Sequence, residues 1–442
     1  MPDGGAREVL AAVAEEFAEF TAPAGPAAVD GPLGWAGYDD ARVRALRRSG
    51  ESESVVCGVG RVGGVSAVLV AFDFRFLGGS VGTATGDRIE YAFRRARETR
   101  TPLVSLIATG GSRMQEGMLS LRQLQRIARQ SVLLREAGVA QVSVLRDPTT
   151  GGLWASLGAG ADVVLAVEGA QVGFAGRRVR PPAVTDDPAY TAEGQFAAGH
   201  VDEVCALESL GEVVAEWLRL LTSGTPDPAE VPRALGSVEL PTDGWAAVTG
   251  ARAASRPRAE AYLDDYFDLR REIRGDRAGG VDAGMLCGVG LRGRHAVAFA
   301  AQTGTATTPA GFRTASRLVR LAERLGLAVL TLVDTPGAAN DAVAERAGVG
   351  PAIAELFGVV GGARVPVTTL VIGEGGSGGA LALAAPERTW IAPDAYFSVI
   401  APELSAAILK RTLEDVPALS DQLRLRPQDL LELGVVRGIA AR

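Results

Sequence analysis

The chain has 442 residues, 47% of them hydrophobic and 22% charged, with a formal net charge of −7. That length exceeds one ordinary compact core and points to two domains or a doubled fold, and the apolar content excludes disorder on a large scale. The negative balance makes nucleic acid and anionic membranes poor partners, while leaving room for a local basic patch that holds a small phosphate ligand.

Residues 7–20 read as an amphipathic helix, and a loose Pro-, Gly- and Ala-rich stretch follows to about residue 34. From Val55 the texture changes to two short β-strands joined by a Gly turn, ending near Phe72. A helix is predicted over 87–98, a buried strand over 102–107, a long helix over 120–136 and a strand over 141–145. Short strands are predicted at 162–167 and 171–174. Residues 222–244, rich in Pro, Gly, Ser and Asp, read as a linker, and 258–272 as a charged helix. The pattern then begins again. Met285 to Phe299 resembles the Val55 segment; a helix is predicted at 312–325, with strands at 328–333, 367–372, 389–392 and 396–400.

Pairing Val104 with Leu330 and Val144 with Leu370 gives an offset of 226 in both cases, and pairing Gly151 with Gly378 gives 227. Order and spacing agree, which argues for an internal duplication. Alternating strands and helices make the class α/β with largely parallel sheets. The expected organisation is an N-terminal extension over 1–28, one domain over 29–222, a linker over 223–270 and a second domain over 271–442.

The cysteines Cys57, Cys205 and Cys287 are far apart and form no C-x-x-C pair, which excludes a zinc ribbon and a disulfide framework. The two histidines, His200 and His295, cannot assemble a His-rich metal site. The opening Met1-Pro2-Asp3-Gly4-Gly5 shows no secretory signal, and no apolar run approaches membrane length. These features together predict a cytoplasmic protein with reduced thiols.

Four Gly-rich turns follow predicted strands: Gly78-Gly79-Ser80-Val81-Gly82, Gly110-Gly111-Ser112-Arg113, Asp147-Pro148-Thr149-Thr150-Gly151-Gly152, and Gly373-Glu374-Gly375-Gly376-Ser377-Gly378-Gly379. Glycine lets backbone approach a ligand closely, and N–H groups at a helix start are unsatisfied by the helix itself. Such donors suit a developing oxyanion. A Walker loop is excluded because the single lysine, Lys410, lies elsewhere. Gly373-Glu374-Gly375-Gly376-Ser377-Gly378 has G-x-G-x-x-G spacing, but spacing alone, outside a βαβ unit, does not make a dinucleotide fingerprint. Tight packing turns and oxyanion holes both remain open on these loops alone.

The longer strings carry a resemblance. Phe76 to Gly82, Ala108 to Gly117, Asp147 to Gly152, Gly173 to Val179 and Val201-Asp202-Glu203-Val204 resemble the β subunit of bacterial acetyl-CoA carboxylase carboxyltransferase. Gly275 to Ala278, the predicted helix 312–325, Asp334-Thr335-Pro336-Gly337-Ala338, Gly373 to Ala382 and Tyr396 to Glu403 resemble the α subunit. The chain looks like a β-then-α fusion, and the resemblance covers most of 30–205 and 270–412.

It implies two crotonase-like (ββα superhelix) domains in tandem and carboxyl transfer from carboxybiotin to an acyl-CoA, acetyl-CoA or a small homologue. It also implies two backbone oxyanion holes, which the motifs place at Gly110-Gly111 and Gly378-Gly379. Substrate contacts are expected from Gly78, Gly79, Arg113, Gly151, Gly152, Arg177, Arg178, Gly337, Gly375 and Gly376. Arg177 and Arg178 are candidates for CoA phosphates, with Arg180 a weaker one; a solvated surface pair is the alternative. For Arg113 and Glu116 the alternative is an ion pair that orders the loop. Such chemistry needs no histidine base.

The departures from the family are as informative. The zinc ribbon's cysteines are missing, so no zinc is expected. The stretch from Gln302 to Thr308 is uncharged where the family is basic, and Ala339-Asn340-Asp341 replaces Tyr-Pro-Gly. Lys410 lacks the setting of a biotinylated lysine, and no ATP-binding segment is visible. Biotin is therefore expected on a separate carrier protein, charged by a separate biotin carboxylase. A homodimer or higher homo-oligomer is expected. A malonyl-thioester or malonate decarboxylase component and a non-catalytic CoA-binding scaffold are the alternatives, with a hydratase disfavoured for want of two placed carboxylates.

Overall fold

The computed structural model describes residues 5–21, 28–184 and 186–442. The opening residues 1–4 and residues 22–27 of the loose Pro-, Gly- and Ala-rich stretch therefore lie outside the described residues. The chain divides into two compact units, Met1–Thr222 and Ser223–Arg442.

The first unit is built on one sheet. Its strands are β1 (Glu16–Glu19), β2 (Val55–Val62), β3 (Val65–Phe72), β4 (Leu103–Thr109), β5 (Gln141–Thr150), β6 (Val163–Val167), β7 (Val172–Gly173) and β8 (Glu203–Cys205). They run in the order β1-β2-β3-β4-β5-β6-β8, with β7 beside the end of β5. The β1–β2 and β2–β3 pairs are antiparallel and the remainder parallel. The second unit contains β9 (Leu269–Ile273), β10 (Met285–Arg292), β11 (His295–Gln302), β12 (Ala328–Thr335), β13 (Val367–Gly376), β14 (Thr389–Ile391), β15 (Tyr396–Ser398) and β16 (Gly438–Ile439). Its order, β9-β10-β11-β12-β13-β14-β16 with β15 beside β13, repeats the first strand for strand.

The repeat extends to register. Thr109 pairs with Thr149 after an irregularity following Ile107, and Thr335 pairs with Gly375 after one following Val333. The offsets agree, 335 − 109 = 226 and 375 − 149 = 226. This register corrects one expected pairing: the counterpart of Gly151 is Ser377, and that of Gly378 is Gly152. Backbone conformation agrees, since Gly151 has φ +75° and Ser377, although not glycine, has φ +56°.

Two predicted helices stop early and become strands. The helix expected over 7–20 ends at Val13, and Glu16–Glu19 forms β1. The helix expected over 258–272 ends at Tyr266, and Leu269–Ile273 forms β9. In both places a long-range partner overrides local propensity. A Cβ on Gly58 of β2 would stand 2.3 Å from the carbonyl oxygen of Ala18, and one on Gly288 of β10 would stand 2.2 Å from that of Arg271. The bare glycines let the edge strands close on the sheet. Gly58→Val is expected to overpack this contact and lower unfolding stability by about 1–3 kcal/mol, read as a lower urea midpoint with an unchanged slope.

Helices cover the sheets through periodic apolar faces. The helix Pro309–Leu325 opens with Pro309 after Thr308 and ends at Gly326, whose φ of +68° provides the left-handed stop. It buries Phe312, Ala315, Leu318, Val319 and Ala322. The helices Thr83–Thr99 and Gly117–Glu136 bring Ile89, Phe93, Ile127 and Leu134 onto the first sheet, where they join Val70, Phe72, Ile107 and Leu145 in one core. Each fully buried side chain of this size contributes about 1.5–3 kcal/mol. Residues 244–266, within the stretch expected as a linker, carry the helices Gly244–Arg252 and Ala259–Tyr266, and Tyr262, Leu263 and Tyr266 lie in the second unit's core. Among the described residues, no helix is long and apolar enough to cross a membrane.

Candidate active site

The parallel strands of each unit end in Gly-rich loops, and the hydrogen bonds of those loops decide which N–H groups remain open. In the first unit the loop after β4 is closed upon itself. The Gly110 N–H donates to the Gly78 carbonyl at 2.9 Å, and the Gly111 N–H donates to Thr109 Oγ1 at 3.0 Å. Neither is open to an oxyanion, so the expectation that these two glycines form a hole is corrected. Gly337, the counterpart of Gly111, likewise donates to Thr335 Oγ1 at 3.1 Å, and the counterpart of Gly110 is Pro336, which has no N–H at all.

Several other glycines answer to packing. A Cβ on Gly79 would stand 2.1 Å from the Ala108 carbonyl oxygen, and the Gly78 carbonyl receives the Gly110 bond. A Cβ on Gly376 would stand 2.1 Å from the Pro336 carbonyl oxygen, and one on Gly375 would stand 2.6 Å from the Phe397 ring. These residues press one loop onto the next. The Gly151 N–H is also engaged, by the carbonyls of Gly173 and Phe174 at 3.2 and 3.1 Å.

What stays open lies one step further along. Gly152 and Leu153 begin a short helix after β5, and Gly378 and Gly379 stand in the first turn of the helix Ser377–Leu381 after β13. First-turn N–H groups have no acceptor within a helix. Gly152 and Gly378 are half-buried and related by the repeat offset, as are Leu153 and Gly379. Beside Gly378 an added Cβ would meet nothing within 4 Å, whereas beside Gly379 it would stand 2.4 Å from the Ala338 nitrogen. The Gly379 backbone is thus pressed against the loop after β12, with open space at Gly378. Gln302, fully buried, fixes the far side by donating from Nε2 to the Gly379 carbonyl at 3.0 Å and to Thr307 Oγ1 at 3.1 Å.

Arg113 does not face a substrate. Its side chain is 1% exposed and is paired with Glu53, which is 2% exposed. Nη1 donates to Glu53 Oε2 at 3.0 Å and to the Tyr38 hydroxyl at 3.1 Å, and Nη2 donates to the Ser80 carbonyl at 2.7 Å. Glu116 lies 3.6 Å away; its carboxylate accepts from the Tyr38 hydroxyl at 2.7 Å and from the Thr83 N–H, at the start of the helix Thr83–Thr99, at 2.6 Å. The loop-ordering alternative describes both residues. Burial pushes the Tyr38 hydroxyl up to about 12, and the adjacent Arg113 does not reverse it.

Arg177 and Arg178 are exposed, and Arg177 pairs with Asp186 at 3.0 Å in a contact open to solvent. Arg180 turns inward, donating to the Ala175 carbonyl at 2.8 Å and lying 3.9 Å from the centroid of the Tyr190 ring. It buttresses the β7 loop. Cys57 and Cys287 are buried thiols, the first pushed up to about 12 by desolvation and the second raised further by the same cause. Neither is a nucleophile at neutral pH.

Leu153 was missed because only glycines were weighed as donors. Tyr38 and Glu53 were missed because single-sequence spacing does not reveal partners this far apart.

Comparison with known proteins places the chain in a family. Residues 35–204 match the carboxyl transferase domain family, and residues 239–441 match the acetyl co-enzyme A carboxylase carboxyltransferase-like family. The chain is 40% identical over 444 residues to the acetyl-coenzyme A carboxylase carboxyl transferase subunits beta/alpha of Saccharopolyspora erythraea, covering 96% of this chain and 78% of that one. It is 32% identical over 402 residues to the protein of Mycobacterium bovis named "Probable biotin-dependent acyl-coenzyme A carboxylase beta3 subunit", covering 89% and 80%. The fold is similar to that of transcarboxylase 12S, solved with methylmalonyl-coenzyme A and methylmalonic acid bound: the TM-score is 0.81 at 21% identity, over 99% of this chain and 86% of that one. It is also similar to a single-chain, multi-domain long-chain acyl-CoA carboxylase, with a TM-score of 0.76 at 19% identity over 98% of this chain and 45% of that one.

Proposed function

Because the chain belongs to the acyl-CoA carboxyltransferase family of biotin-dependent carboxylases, we propose that it moves CO2 from carboxybiotin to the α-carbon of acetyl-CoA or a small homologue, giving malonyl-CoA or its homologue. The observation that carries the reading is the pair of equivalent helix starts, Gly152-Leu153 and Gly378-Gly379, each presenting open N–H groups after a parallel strand. One set holds the thioester oxygen as it gains enolate character, and the other holds the ureido oxygen of biotin. Both are preorganised donors, and both act where negative charge develops. Carboxybiotin, when bound, supplies the CO2 and the base that removes the α-proton. The chain's own work is to align the two substrates and to stabilise two oxyanions. Neither His200 nor His295 stands on a site loop, which fits a reaction without a histidine base.

Biotin is proposed to arrive on a separate carrier protein served by a separate biotin carboxylase, in the cytoplasm. A homo-oligomer is supported by exposed apolar side chains, Met114 and Met118 in the first unit and Val399 and Ile408 in the second. Arg177 and Arg178 are proposed to meet CoA phosphates. Their joint replacement by alanine is expected to raise the KM for malonyl-CoA about tenfold. The KM for a malonyl thioester of N-acetylcysteamine, which has no phosphates, should not move. Equal effects on both substrates would remove the arginines from the phosphate site.

The purified chain, given malonyl-CoA and a free biotin derivative, should form acetyl-CoA in a biotin-dependent reaction. Turnover without biotin would indicate a decarboxylase. CoA binding without turnover on malonyl-CoA or methylmalonyl-CoA would indicate a scaffold.

A further inference from the structure

We propose that Arg256, in the connection between the helices Gly244–Arg252 and Ala259–Tyr266, is a positioning residue that holds the second unit's two site loops in register through Asp334. The inference rests on the carboxyltransferase reading. Arg256 is buried and donates from Nη2 to Asp334 Oδ2 at 2.7 Å; Asp334 is fully buried. The same guanidinium donates to the carbonyl of Ile372, the residue before the glycine run, and from Nε to the Ala251 carbonyl at 2.8 Å. Arg258 adds a second bond to Asp334 Oδ2, at 3.0 Å.

Asp334 passes the constraint to both loops. Its Oδ1 accepts from the Glu374 N–H at 3.0 Å, at the head of the run that ends in Gly378-Gly379. Its own backbone opens the loop carrying Gly337, and its carbonyl accepts from the Gly304 N–H at 2.7 Å. The loop lies flat on the ion pair. A Cβ on Gly373 would stand 2.2 Å from Asp334 Oδ1 and 2.3 Å from Arg256 Nη2, so a side chain there would part them. Glu374 extends the network outward, with its carboxylate accepting from Arg252 Nε and from the Tyr396 hydroxyl, both at 2.8 Å.

The internal repeat separates this device from the needs of the fold. The counterpart of Asp334 in the first unit is Ala108, and that of Gly373 is Asp147. The same sheet and the same loops form there without this pair. Conversely, Arg113, which ties the first unit's loops, has Ala339 as its counterpart. Each unit braces Gly-rich loops with a buried arginine reached by a different route: Arg113 holds the loop after β4 to Ser80 and Glu53, and Arg256 holds Asp334 to the run after Ile372. The shared requirement is loop placement, because a misplacement of about 1 Å costs up to about a hundredfold in rate.

The test compares wild type, Arg256→Lys and Asp334→Asn by steady-state kinetics with malonyl-CoA and a biotin derivative, by melting temperature, and by amide hydrogen exchange. The expected result is a kcat lowered about 10- to 100-fold, both KM values within about threefold, and faster exchange confined to 334–339 and 373–381. Should Arg256→Lys fail to fold, Asp334→Asn, which keeps an acceptor for the Glu374 N–H, is read by the same criteria. Unchanged kcat and exchange would overturn the proposal. So would exchange rising across the whole second unit while kcat falls in step with the folded fraction, the mark of a purely structural pair. A wild type without carboxyl transfer would overturn the functional reading instead. Exchange alone would then decide the positioning claim, confined acceleration upholding it and no change overturning it.

Discussion

Gly378→Pro is expected to lower kcat for carboxyl transfer by about 10²–10³, the loss that follows removal of one oxyanion donor. Proline takes away the N–H while leaving the carbonyl that Ala382 uses for its bond at 3.0 Å. The control is Gly378→Ala. An added Cβ there meets nothing within 4 Å, and the N–H is retained, so activity should stay within a few-fold of wild type. Space and donor are thereby separated. Gly110→Pro provides the opposing comparison. Its N–H already serves the Gly78 carbonyl, and proline is the native residue at the equivalent position, Pro336. The loss there should be far smaller than at Gly378. Single-turnover rates with melting temperatures would check all three. Full activity in a folded Gly378→Pro would remove this donor from the mechanism, and equal losses at Gly110 and Gly378 would return the first loop to candidacy.

The duplication was legible because strands carry dense periodic signals: the offset of 226 between Val104 and Leu330 is also the offset of their hydrogen-bond ladders. The site was legible only to within a residue. A pairing of Gly151 with Gly378 looks natural by residue type, since both belong to Gly-Gly pairs. Holding the offset constant would have placed Gly378 opposite Gly152 and Ser377 in the left-handed position of Gly151. The residue type misled because Ser377 tolerates a φ that a reader assigns to glycine. Gly110-Gly111 misled for another reason. Whether an N–H is open depends on an acceptor distant in sequence or on a threonine hydroxyl, and a glycine string records neither. The strands β1 and β9 were read as helix because their reason for being extended lies in the glycines of β2 and β10. The buried arginine clusters were invisible in the same way: Arg113 and Glu53 are 60 residues apart, and Arg256 and Asp334 are 78 apart.

Arg113→Leu is expected to lower the unfolding free energy of the first unit by about 3–5 kcal/mol, the cost of stranding a buried carboxylate. Glu53 is 2% exposed, so loss of its partner cannot be made good by water. The double variant Arg113→Leu, Glu53→Leu should recover much of that loss, since no unpaired charge remains at Glu53. The pair also sets a pH dependence. Burial alone would raise the Glu53 carboxyl, but the charge and hydrogen bonds of Arg113 outweigh it and hold the carboxyl below its ordinary value. A carboxyl depressed in the folded state contributes stability that is fully present above its unfolded pKa, about 4.3, and is lost as pH falls through the folded value. Urea unfolding from pH 7 down to pH 3 should therefore show wild-type stability falling more steeply with acid than that of the double variant. Parallel slopes would mean that Glu53 is not held ionised by Arg113. An Arg113→Leu variant as stable as wild type would mean that the loop after β4 is ordered without the cluster, which would leave the closed geometry of Gly110 and Gly111 dependent on Thr109 and Gly78 alone.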